Sequence, residues 1–213
     1  MNREYRPDKR ENDPLYLLRQ AQELCEIAKA NKNSSALIYS CLECRLALEI
    51  LDLNLILASV NSTERLEILD DSKPKNGIDR LNKKKGSLKH KYQQFLQAVT
   101  EVLNLPSKYY DYRKSKDLQH QLSFYIHSYW FTEIEINYNS TTMKRVFELV
   151  DSVNSFIFDS LPRDGDSLIM INMEIATMPK EDQVLLDQWK RSEIEDFDEL
   201  KKKLKFNLDQ RKK

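Results

Sequence analysis

The sequence predicts a mainly α-helical protein: a helical bundle with a short β ribbon and a charged helical C-terminal extension. Three observations lead there. Apolar residues recur at helical spacing through most of the 213 residues. Only three glycines and six prolines are present, too few for the many turns of an all-β fold. Charged residues make up 32% of the chain, 34 basic and 34 acidic, a mixture that suits solvent-facing helix surfaces.

Residues 1–12 are polar and read as a loose N-terminus. Asp13 before Pro14 is a strong helix start, an N-cap followed by a first-turn proline. Leu17, Leu18, Ala21, Leu24, Cys25 and Ala28 then repeat at helical spacing toward Asn31–Asn33. Ser34 or Ser35 can cap a second helix, in which Leu37, Cys41, Cys44, Leu48, Leu51 and Leu55 trace a core stripe. Arg45 and Glu49 within it are spaced for an intrahelical ion pair. Residues 61–87 are less regular, with a short helix around Glu64–Leu69. Lys73 to Lys91 is a distinctly basic stretch, and the consecutive Lys83, Lys84 and Lys85 within it read as a solvated loop. Ser87 can cap the next helix, whose stripe runs from Leu88 to Leu103 and stops before Pro106.

Tyr109–Trp130 reads as an aromatic-rich helix. Ser115 or Asp117 also offers a cap inside it, which would place Arg113 ahead of the helix. Its tyrosines, with Trp130, read as packing residues. Ile134, Ile136 and Tyr138 alternate with polar residues, as in a short strand. Ser140 can cap a helix carrying Met143, Val146, Val150, Val153 and Ile157. Pro162 and Asp164-Gly165-Asp166 mark a turn and the end of a main domain over residues 13–160. In residues 161–213, Ser167–Ile175 alternates like a second strand. The charged helical stretch after Pro179 has apolar residues too sparse for a deep core, so it reads as a lid or partner-binding arm.

With zero formal net charge, global electrostatics gives no drive toward nucleic acid or membrane, and any such binding needs a local patch. No apolar run reaches the roughly 18 residues of a membrane span. Cys25, Cys41 and Cys44 read as buried reduced thiols. Beside a charged N-terminus that does not resemble a signal peptide, they point to a reducing cytoplasm. The reading calls for no metal and no cofactor.

The chemistry-bearing pattern is Arg113, His120 and His127, two of the three histidines with an arginine at heptad spacing. On one helix, a 100° step per residue places all three on one stripe. Histidine, with an ordinary pKa of about 6.5, exchanges a proton near neutrality. Arginine presents a fixed charge in a planar fork that suits phosphate oxygens. Together they can cleave RNA without metal: one group assists attack of the ribose 2′-hydroxyl on phosphorus, and the guanidinium stabilises the phosphate oxygens. Tyr109 and Lys116 fall near the same face, and Lys83, Lys84 and Lys85 offer further phosphate contacts.

At these residues the chain resembles the HEPN superfamily of small helical bundles, widespread in prokaryotic toxin and antiviral systems. The second helix carries Leu42-Glu43-Cys44-Arg45-Leu46-Ala47-Leu48-Glu49, similar to the family's core helix. The helix order over 13–158 also matches. Arg113-Lys-Ser-Lys-Asp-Leu-Gln-His120 fits the family's arginine–histidine motif at its longest spacing, with Lys114 where the family often has Asn, Asp or His. The resemblance implies ribonuclease activity at a homodimer interface, with Arg113 on phosphate and His120 in acid–base chemistry. Family members that have lost catalysis serve as binding modules, so a helical subunit of a larger defence complex is the alternative. Residues 161–213 lie outside the resemblance.

Overall fold

The computed structural model describes residues 8–74, 77–105, 110–160 and 175–211. Among them the chain forms eight α-helices and no strand: α1 (Pro14–Asn31), α2 (Ser34–Ala58), α3 (Ser62–Ser72), α4 (Gly77–Leu103), α5 (Tyr112–Ile126), α6 (Thr141–Ser160), α7 (Lys180–Lys190) and α8 (Phe197–Arg211). They group into two compact units. The first holds the chain up to Asp52 together with Asp111–Asp159, and the second holds Leu53–Tyr110 with Ser160 onward.

The first unit is built from α1, most of α2, α5 and α6. Asp13 caps α1 by accepting from the Leu15 and Tyr16 amides, with Pro14 in the first turn. Lys32 ends that helix in the left-handed region, at φ 49°. Asn33, rather than Ser34 or Ser35, caps α2: its side chain accepts from the Ala36 amide at 3.1 Å. The amide oxygen reaches the third helical residue from there, as an N-cap requires. The expected α2 stripe of Leu37, Cys41, Cys44, Leu48 and Leu51 is buried, as are Leu17 and Leu18 of α1, Leu122 of α5 and Val146 and Val153 of α6. Burial pushes the Cys41 thiol up to about 12 and raises that of Cys44 well above its ordinary value, so these cysteines stay protonated. Arg45 and Glu49 pair at 2.9 Å as their spacing predicts. Leu48 is fully buried in mid-helix. Leu48→Ala should therefore lower the unfolding free energy by about 2–5 kcal/mol, read from urea denaturation. A loss below about 0.5 kcal/mol would contradict this packing.

The expected strand at residues 134–138 is a series of turns. Thr132 and Glu135 bond each other through backbone and side chain, and the Ile136 amide donates to the Thr132 carbonyl at 3.0 Å. These local bonds take the backbone groups a ladder would need. Ser140 then caps α6 through the Met143 amide, as expected. The proposed partner strand lies outside the described residues except for Ile175, which opens a 3-10 turn.

The second unit differs more from expectation. The Lys83–Lys85 run lies within helix α4, not in a loop, and Ser87 is interior to that helix rather than its cap. Burial of Leu81 against Ile56, Val60 and Ile68, with Leu88 partly buried beside them, anchors this half of α4 despite Gly86. A single interior glycine costs a helix only about 1 kcal/mol, less than a buried leucine contributes. A Cβ on Gly86 would meet nothing within 4 Å. Gly86→Ala should thus stabilise the protein by about 0.5–1 kcal/mol, seen as a raised melting temperature, and destabilisation would contradict the helix there. Gly77 is the opposite case. Its amide donates to the Pro74 carbonyl at 2.7 Å, and a Cβ there would run into the Ser72 carbonyl.

The C-terminal stretch is no detached arm. Helices α7 and α8 pack on α4 and on each other. Leu185, Leu186, Trp189, Ile194, Leu200 and Leu204 are all buried, so the few apolar residues of the tail suffice for one core face. The Trp189 indole N–H donates to the Lys91 carbonyl at 3.0 Å, and the Lys91 ammonium lies 3.8 Å from the ring centre. Asp182 accepts from Asn207 and Arg211, tying α7 to α8. The single domain expected over 13–160 is divided instead: Leu53–Tyr110 groups with the chain from Ser160 onward, so the tail belongs to the second unit.

Candidate functional site

Helix α5 carries the candidate site. Asp111, not Ser115 or Asp117, is its N-cap, accepting from the Arg113 and Lys114 amides at 3.0 Å. Arg113 is therefore inside the first turn, and one uninterrupted helix joins it to His120. Seven residues at about 1.5 Å each place their backbones about 10 Å apart, 20° from eclipsed. His127 is the C-cap residue just beyond the helix, with φ −92° and ψ 45°.

The opposite face fixes the helix in its unit. Ser115, Leu118 and Leu122 are buried. Gln119 donates from its amide nitrogen to the buried Asp52 of α2 at 3.0 Å and to the Ser115 hydroxyl at 3.1 Å. The Lys114 ammonium lies 5.5 Å from the Phe156 ring centre on α6. With its inner face so held, α5 turns Arg113, Lys116, His120 and His127 outward, and all four are exposed. Among the described residues, the side chains of Arg113, His120 and His127 have no hydrogen-bond or ion-pair partner. They are not engaged in structural bonds.

A phosphate lying over the two turns between Arg113 and His120 would be approached by the guanidinium from one end and the imidazole from the other. Arg113 also stands at the positive end of the helix dipole, which favours an anion there. Lys116 projects near the same stripe, one turn from each. Tyr109 lies outside the described residues. Lys83, Lys84 and Lys85 belong to the second unit: Lys83 is exposed and Lys84 pairs with Asp71 at 3.4 Å.

Sequence spacing alone misassigned the aromatic end of this region. Tyr129 and Trp130, expected to pack inside, are 87% and 47% exposed in a 3-10 turn that follows His127. Phe124, one turn after His120 on the same stripe, is 49% exposed. The 100° step would have found Phe124, since it falls 20° from Arg113 on the helical wheel.

No family model, curated protein or solved structure matches this chain. Among the described residues no helix is long and apolar enough to cross a membrane.

Proposed function

We propose that this chain is an HEPN-like, metal-independent ribonuclease or RNA-binding subunit of a bacterial-type toxin or antiviral system, acting in the cytoplasm as a homodimer or with a protein partner. The observation that carries the reading is the pairing of an unengaged arginine and an unengaged histidine on the outward stripe of one continuous helix. In this reading Arg113 binds a non-bridging phosphate oxygen and Lys116 an adjacent phosphate. His120 takes the proton of the ribose 2′-hydroxyl as that oxygen bonds to phosphorus, or returns a proton to the leaving 5′-oxygen. In this reading a second copy supplies the complementary acid or base, or His127, near the same stripe, does so within one chain.

The cysteines agree with a reducing compartment, because Cys25, Cys41 and Cys44 are free and buried. RNA incubated with purified protein, with His120→Ala as the control, tests the proposal. Cleavage that persists unchanged in the variant would remove His120 from it.

A further inference from the structure

The exposed aromatic side chains continue the basic stripe of α5. Arg113, Lys116 and His120 are followed on the same face by Phe124, then by Tyr129 and Trp130 in the adjoining turn. The Phe124 and Trp130 ring centres are 5.7 Å apart, and Tyr129 meets Trp130 edge to face at 4.6 Å and 73°. An edge-to-face contact steadies the pair and covers at most one face of one ring, and at 87% exposure Tyr129 keeps ring surface open to solvent. Large aromatic groups left clustered in water mark a binding surface, not a packing residue.

We propose that Phe124, Tyr129 and Trp130 form a base-stacking platform for single-stranded RNA, receiving the unpaired bases next to the phosphate held at Arg113. The occupant follows from the composition of the stripe. Cations spaced along one helix face suit a phosphate backbone, and open ring faces at its end suit bases, which stack on aromatic side chains whatever their sequence. A duplex would hide those base faces, so the strand is single. This inference rests on reading α5 as a nucleic-acid face, and it does not require that the bound strand be cut.

The test is binding of a labelled oligouridylate to the full chain at low salt, read by fluorescence anisotropy and by tryptophan emission. Trp189 is buried, so quenching by stacked bases reports on Trp130. Saturable quenching is expected, with oligothymidylate binding similarly because stacking needs no 2′-hydroxyl. Trp130→Ala or Tyr129→Ala should weaken binding by roughly fivefold or more, the scale of one stacked base, while Trp130→Phe retains most of it. Unchanged melting of these surface variants would separate stacking from folding. Equal affinity in the wild type and in both alanine variants would overturn the platform. So would Trp130-dependent self-association that oligouridylate does not displace, because the rings would then serve a second protein chain. A chain that stacks RNA yet never cleaves it would refute the proposed cleavage and leave the platform standing. A chain that cleaves with affinity indifferent to Trp130 and Tyr129 would do the reverse.

Discussion

Trp189→Ala should destabilise the second unit by about 3–5 kcal/mol, the usual loss when a buried tryptophan is truncated. Trp189 is 3% exposed on α7 and joins it to α4 through both its ring and its indole N–H. Truncation removes the apolar surface, the cation–π contact and the partner of the Lys91 carbonyl together. Lys190 beside it donates to the Ser59 carbonyl at 2.7 Å, so the same helix also fastens the chain just after α2. Urea denaturation of the full chain should show the loss as a lowered midpoint. A change below about 1 kcal/mol would mean that α7 lies on the unit without completing its core.

The second large effect is catalytic. His120→Ala should lower RNA cleavage about 100-fold or more, the scale of a lost general acid or base. Arg113→Ala should do the same by withdrawing charge from the phosphate oxygens as they gain it. Both side chains are exposed and unpaired, so neither substitution should move the melting temperature by more than a degree or two. His127→Ala should have the milder effect, because His127 sits past the helix end rather than in its rigid part. Cleavage surviving in both Arg113→Ala and His120→Ala would assign the chemistry elsewhere.

Periodicity made most of the first unit legible. The Asp13-Pro14 start, the buried stripe of α2 and the Ser140 cap of α6 are local patterns with local causes, and they stand where the sequence placed them. Errors arose where a tertiary partner or a competing local bond decides. The alternation of Ile134, Ile136 and Tyr138 looks like a strand, but Thr132 and Glu135 close it into turns. Gly86 and three lysines mask the first half of α4, which is held by Leu81 in a pocket of residues far away in sequence. In the tail, Leu185, Leu186 and Trp189 seem sparse until α4 supplies the opposing face.

For the site, spacing put Arg113 and His120 on one stripe and the structure joins them in one helix. Exposure was not legible, because it depends on which face of α5 the rest of the unit covers. Gln119 bound to Asp52, with Leu118 and Leu122 buried, settles that face. The same packing leaves Tyr129 and Trp130 outside, against their composition.

The activity proposed for this helix face is cleavage of RNA through the 2′-hydroxyl without metal. Its most direct measurement is the chemistry of the ends made from a single-stranded RNA in the presence of EDTA. Attack by the 2′-hydroxyl should leave a 2′,3′-cyclic phosphate on one fragment and a 5′-hydroxyl on the other, with an all-DNA strand left intact. Ends bearing a 3′-hydroxyl and a 5′-phosphate, cutting that EDTA abolishes, or no cutting by the chain alone or with its partners would contradict it.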